Sequence, residues 1–162
     1  MTLPPDLIAA LNEQHTHERE NAAIYAQMGF RFDREAWQGF TDLMRQQAVE
    51  EDLHAKRIAQ YMTDKDAPVM FWPVAIPDAP ITVLERFTFS RMREAETTSR
   101  LTQLYFFAES QEHPQTCYFL QTMLEEQIEE EKKFMDILTQ VNRAGDNNAA
   151  LLLIDAQLAL GG

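Results

Sequence analysis

Apolar residues recur at helical spacing along four long stretches of the chain and one short one. The first stretch opens at Pro4-Pro5-Asp6 and runs over about 6–32, with Leu7, Leu11, Ala22, Tyr25 and Phe32 on one stripe. Asp33-Arg34 reads as a short turn, and a second helix over about 35–62 carries Trp37, Phe40, Met44, Ile58 and Tyr61. A third spans about 81–110 with Val83, Phe87, Leu101, Leu104 and Ala108. The fourth covers about 114–143 with Leu120, Met123, Phe134, Ile137 and Val141. Pro114 suits a first helical position. After Ala144-Gly145, Asp146 is placed to cap a short fifth helix over about 147–160.

Between the second and third helices the texture changes. Pro68, Pro73, Pro77 and Pro80 exclude a helix interior. The segment is read as an extended connection whose Val69, Met70, Phe71, Trp72, Val74 and Ile76 need covering. Short turns make helices one and two antiparallel neighbours, and likewise three and four. A helix of about 28 residues is roughly 42 Å long, and about 18 extended residues reach roughly 59 Å. The connection can therefore travel the length of the bundle. The fold class is all-α, a single-domain four-helix bundle with one long crossover and a short fifth C-terminal helix.

Polar residues interrupt the stripes near mid-helix. Glu18 stands between Leu11 and Tyr25, and Glu51 and His54 lie between Met44 and Ile58. Glu94 falls between Phe87 and Leu101, and Gln127 and Glu130 between Met123 and Phe134. Buried carboxylates are costly unless neutralised. No Lys or Arg falls on the inward stripes to do it, so protons or multivalent cations are needed. Glu18 to Glu94, Glu51 to Gln127, His54 to Glu130 and Glu50 to Glu126 are each 76 residues apart. The helix pairs thus read as a pseudo-twofold repeat, Glu…Glu-x-x-His and Glu…Gln-x-x-Glu. One Glu from each of two helices, with i,i+3 motifs on the others, is the layout of a dinuclear carboxylate site. Oxygen ligands with one imidazole suit Fe(II) or Mn(II) and accommodate Fe(III), with zinc as a competitor.

Composition narrows the picture further. The 162 residues carry 26 Asp+Glu against 14 Lys+Arg, a formal net charge of −12. That balance argues against nucleic acid as a partner. Cys117 is the one cysteine, which excludes a disulfide framework and a thiolate cluster. No apolar run has the length of a membrane span. The opening Met-Thr-Leu-Pro-Pro-Asp lacks a signal-peptide layout, so a cytoplasmic home is expected. Glu125 and Glu131 read as solvated, whereas Glu50, Glu126 and Glu129 are either solvated or hold a further cation. Tyr25 is either a core residue or a hydrogen-bond partner of a ligand carboxylate that supplies an electron. His15, His17 and His113 read as surface or capping residues.

Four segments carry a family resemblance: NEQHTHERENAAIYAQM (Asn12–Met28), EEDLHAKRIAQY (Glu50–Tyr61), FLQTMLEEQIEEEKKF (Phe119–Phe134) and LLLIDAQLAL (Leu151–Leu160). Through them the chain resembles the bacterial non-haem ferritins over nearly its whole length. The resemblance implies a ferroxidase that takes Fe(II), oxidises it with O₂ or peroxide and stores Fe(III) as mineral in a hollow homo-oligomer of about 24 chains. Glu18, Glu51 and His54 match the family's first iron site, with Glu51 bridging. Glu94, Gln127 and Glu130 match the second. Glu50, Glu126 and Glu129, with Glu130 shared, match a third, and Tyr25 matches the tyrosine beside the centre. Thr122 departs from the aromatic residue frequent at its position.

Neighbouring classes fit less well. Bacterioferritins would place Glu and His at Gln127 and Glu130 and a haem-binding Met at Asp52, so no haem is expected. An oxygenase would carry a second Glu-x-x-His, and a rubrerythrin-like peroxidase would need four cysteines. A mini-ferritin would place its site between subunits. A bundle without chemistry would have apolar residues at Glu18, Glu51 and Glu94. Leu151, Leu152, Leu153, Ile154, Leu158 and Leu160 exceed what a four-helix bundle needs, and with Trp72 they point to burial between subunits.

Overall fold

The computed structural model describes residues 2–161 and contains five helices. They are α1 (Pro5–Arg34), α2 (Gln38–Asp64), α3 (Val83–Ser110), α4 (Pro114–Ala144) and α5 (Asn148–Ala159). Helices α1 and α2 pack as one hairpin and α3 and α4 as another; α1 also meets α3, and α5 lies across α2 and α4. The 76-residue offset extends to the helix ends, since Arg34 and Ser110 close α1 and α3, and Gln38 and Pro114 open α2 and α4.

The helix ends refine the sequence reading. Helix α1 continues through Asp33-Arg34, and the chain turns at Ala36, whose φ is +64°. The N–H of Trp37 then donates to Phe32 O at 3.0 Å. Asp66 (φ +55°) and Glu112 (φ +53°) do the same after α2 and α3, with Ala67 N on Met62 O and His113 N on Ala108 O. Three non-glycine residues thus hold the left-handed position that closes a helix. Helix α3 starts with a reciprocal box between Thr82 and Glu85. Helix α5 is capped by Asn147, whose side chain accepts from Ala150 N, and not by Asp146.

Asp155 of α5 serves α2 as well. Its Oδ1 accepts the N–H of Phe40 at 2.8 Å, in the first turn of a helix whose own N-cap, Trp37, offers no side-chain acceptor. Backbone approach is close here. A Cβ on Gly39 would lie 1.8 Å from Asp155 O.

The crossover lies along α1 without forming strands and is held by side chains. Asn12 donates to Pro68 O at 3.0 Å and accepts from Met70 N at 2.6 Å, and Arg19 donates to Trp72 O at 2.8 Å. Arg31 donates to Ala79 O at 3.1 Å. Buried Arg86 grips Glu35 with two 2.6 Å bonds and binds Pro80 O and Ile81 O. The segment's large apolar residues stay uncovered within one chain: Met70, Phe71, Trp72 and Ile76 are all exposed. Leu152, Leu153 and Leu160 of α5 are exposed too, while Leu151 and Ile154 are buried.

The interior holds two apolar clusters. One contains Tyr25, Phe32, Phe40, Met44, Phe87 and Phe134, with Leu151 and Ile154 of α5. The other contains Leu7, Leu11, Ile58, Leu101, Leu120 and Met123. Each of α1 to α4 contributes to both, α5 only to the first, and the polar interruptions of all four stripes lie between them.

Candidate metal centre

Between the two clusters, Glu18, Glu51 and Glu94 have no solvent exposure, and Gln127 is equally enclosed. His54 is buried, and Glu130 is partly so. The structure brings one donor atom each of Glu18, Glu51 and His54 within 4.8 Å of one another. Among the described residues, Glu18 Oε2 and Glu51 Oε2 have no hydrogen-bond partner. Two buried, unpartnered carboxylate oxygens beside an imidazole are costly in a finished core. They suit an ion held by bonds of about 2.0–2.2 Å from oxygen and nitrogen donors.

Amides orient the acids from every side. Gln14, one turn before Glu18, donates to its Oε1 at 2.7 Å. Gln47 donates to Glu51 Oε1 and Glu130 Oε2, both at 2.9 Å, and more weakly to Glu94 Oε1 at 3.4 Å. Gln127 donates to Glu94 Oε2 at 3.2 Å. The Tyr25 hydroxyl donates to Glu94 Oε1 while its ring stacks on Phe134. Tyr25 is thus both a core residue, by its ring, and a hydrogen-bond partner of a carboxylate, by its hydroxyl. Glu94 lies outside the Glu18, Glu51 and His54 group and is linked to Glu51 and Glu130 through Gln47.

His54 bridges inner and outer acids. Its Nδ1 lies 3.6 Å from Glu51 Oε2, and its Nε2 is 3.1 Å from Glu126 Oε2. A carboxylate on the far ring nitrogen fixes how the imidazole presents the near one. Glu50, Glu126, Glu129 and Glu130 surround a cavity of about 340 Å³ with Leu53, His54 and Arg57.

Protons occupy part of the site where no ion is bound. Burial, the Glu51 charge and their mutual contact raise the Glu18 carboxyl well above the usual range. Burial and the Glu51 charge push Glu94 up to about 8, against the pull of Tyr25 and Gln127. Burial alone would raise Glu51 too, but His54, Glu18 and Gln47 hold it below the ordinary value. Burial works against His54, and Glu51 and Glu126 more than reverse it, so His54 lies above the usual imidazole. Burial and the neighbouring Glu94 and Glu51 raise the Tyr25 phenol.

Two sequence expectations are corrected here. The acids do meet a cation, because Lys133 reaches back from the next turn of α4 and its Nζ lies 2.8 Å from Glu130 Oε2. Its stem starts off the inward stripe, and the signal for it was the i,i+3 spacing from Glu130. Nor are the minor histidines surface residues: His15, His17 and His113 are all buried. His113 does cap α4, accepting from Thr116 N. His17 faces α3, with Nε2 2.8 Å from Thr97 Oγ1, and Arg93 ties the same place through Asn21 at 2.6 Å. Burial with Arg93 and Arg100 nearby lowers His17 to about 3, leaving it neutral.

Comparison with known proteins agrees with this architecture. Residues 8–144 match the family model for the ferritin-like domain. A bacterial non-heme ferritin of Staphylococcus aureus (strain USA300) is 35% identical over 157 residues, covering 96% of this chain and 95% of that protein. The Staphylococcus saprophyticus protein of the same name is 34% identical, covering 97% and 95%. An open-pore ferritin of the hyperthermophilic archaeon Archaeoglobus fulgidus superposes with a TM-score of 0.95 at 29% identity, covering 99% of each chain. With a bundle divided by a carboxylate layer and relatives matching over nearly its full length, the chain belongs to the ferritin family.

Proposed function

We propose that this chain is an iron-storage ferritin whose centre oxidises Fe(II) as its substrate. Glu18, Glu51 and His54 hold the first ion, with Glu51 shared. Glu94, Glu130 and Gln127 complete the place of the second. Glu50, Glu126 and Glu129, sharing Glu130, form the outer place for a third. Two Fe(II) give one electron each, and O₂ accepts two electrons and two protons to leave hydrogen peroxide; peroxide can itself serve as oxidant. Tyr25, joined to Glu94, is positioned to supply a further electron.

Protons move with the ions. An arriving Fe(II) needs ionised carboxylates, so Glu18 and Glu94 must release the protons they hold in the metal-free chain. The Gln14, Gln47 and Gln127 amides stay in place and keep the oxygens aimed inward. The observation that carries this reading is the pair of unpartnered, fully buried oxygens on Glu18 and Glu51 beside His54.

Product Fe(III) is stored as mineral in a closed homo-oligomer of about 24 chains. The uncovered Phe71, Trp72, Leu152, Leu153 and Leu160 supply apolar surface for such contacts. Among the described residues no helix is long and apolar enough to cross a membrane. The reading places the protein in the cytoplasm, with no haem, nucleic acid or membrane partner. Rapid mixing of Fe(II) with oxygenated buffer tests it: wild type should oxidise iron quickly, and Glu18→Ala, Glu51→Ala and His54→Ala should lose that phase while keeping wild-type helicity and native mass. Equal rates in all four proteins would refute the assignment.

A further inference from the structure

The outer acids are already paired with the chain's own cations. Lys133 Nζ lies 2.8 Å from Glu130 Oε2, 3.1 Å from Glu50 Oε2 and 2.6 Å from Gln47 Oε1. Three oxygens therefore match the three N–H donors of an ammonium. Arg57 lines the cavity and binds both oxygens of Glu126 at 2.7 Å, with a third bond to Thr122 Oγ1 at 3.1 Å. The small side chain at Thr122 thus supplies a guanidinium acceptor.

The two cations differ in what they span. Arg57 meets both oxygens of one carboxylate through Nη1 alone, and its Nη2 is used on Thr122. Lys133 is a point charge on a flexible stem, and it spans acids that belong to both the inner and the outer ion places. Its ammonium can leave Glu50 and Glu130 for water by bond rotations alone.

We infer that Lys133 is a built-in competitor for the outer divalent cation, holding Glu50 and Glu130 until an ion displaces it. It is a specificity-determining residue: it sets how readily a third ion joins the two of the inner centre. The inference rests on the reading of this layer as an iron centre. In the empty chain Lys133 also prevents Glu50 and Glu130 from repelling one another across the cavity.

The test uses the full-length assembled protein and Co(II) under anaerobic conditions, so that oxidation plays no part. Calorimetric titration with Co(II) should show two tight ions per chain and a weaker third in wild type. Lys133→Gln should tighten the third by about tenfold, as expected where one competing unit charge is removed, while Lys133→Arg, which keeps the charge, stays weak. A third-ion affinity in Lys133→Gln within threefold of wild type overturns the inference. Wild-type protein provides an independent arm, through amine acylation followed by peptide mass spectrometry. Lys133 should label faster when Co(II) is loaded to three per chain; unchanged or slower labelling overturns the inference even if the variants fail to fold. Should wild type bind no Co(II), the iron-centre reading fails first and this one falls with it. Two tight ions with no response at Lys133 leave that reading standing and remove only this inference.

Discussion

Ion binding at this centre must compete with protons, and the competition has a calculable size. Glu94 is held at about 8, so at pH 7 about ten molecules carry the proton for each that is ionised. An ion that needs the carboxylate then loses about tenfold in apparent affinity at pH 7 and about a hundredfold at pH 6. Each factor of ten is about 1.4 kcal/mol. Glu18, also raised, adds a second proton in the same direction, and His54 adds a third below its own elevated value. Affinity should therefore climb steeply with pH and lose the Glu94 contribution to that slope above about 8. Titration with Co(II) in buffers of different ionisation enthalpy counts the protons. Loading near pH 6.5 should release the Glu94 proton, with further release in the same direction from Glu18 and His54, and the count should fall toward pH 9. Glu94→Gln should release one fewer. The same shift governs the metal-free bundle. A carboxyl raised from 4.5 to about 8 favours the folded state fully below 4.5, and that contribution is lost as pH rises through 8. The loss is on the order of 5 kcal/mol, and bound cation should remove it. A Co(II) affinity that stays flat from pH 6 to pH 9, with buffer-independent heats, would refute the proton-loaded site.

Other consequences follow from the same structure. Glu130→Ala should weaken the second ion more than the first, measured as the ratio of two stepwise affinities. Glu50→Ala or Glu126→Ala should preserve the first fast oxidation and change total ions bound or later turnover; identical occupancy and kinetics would return both to plain solvated acids. Asp155→Ala removes the acceptor that caps α2 from α5 and should cost about 1 kcal/mol. Gly39→Ala should do worse, because its Cβ meets backbone. Both should impair iron retention more than iron oxidation, as should removal of residues 145–162. Ala36→Gly and Glu112→Gly relieve left-handed non-glycine residues and should each stabilise by about 1 kcal/mol in thermal unfolding.

Much of the architecture is legible in the sequence because the bundle obeys simple periodicities. Leu11, Glu18, Tyr25 and Phe32 fall on one helical line, so an acid in the middle of an apolar stripe announces a buried carboxylate. The repeat at 76 residues links the four helices, and the family segments name the same residues. What escaped depends on reach and tertiary contact rather than spacing. Lys133 starts on the flank of α4 and only its flexible stem carries the charge to Glu130. Gln14 and Gln47 look like ordinary helix polar residues until their amides meet Glu18, Glu51 and Glu130. Asp155 caps a helix 115 residues away, which no local rule can show. His17 shares no face with Glu18, yet that second face is covered too, by α3. Of the crossover's apolar residues, Val69 packs on the core, whereas Met70, Phe71, Trp72 and Ile76 stay exposed within one chain.

The central claim is that Glu18, Glu51, His54, Glu94, Gln127 and Glu130 form one intra-subunit site for two ions. Anaerobic titration of the wild-type assembly with Fe(II), read by calorimetry or Mössbauer spectroscopy, tests it most directly. The account predicts tight binding of about two irons per chain, as a dinuclear site requires, and loss of that binding in Glu51→Ala, because the account assigns that carboxylate to both ions. Absence of tight Fe(II) binding, or the same two irons in Glu51→Ala, would contradict it.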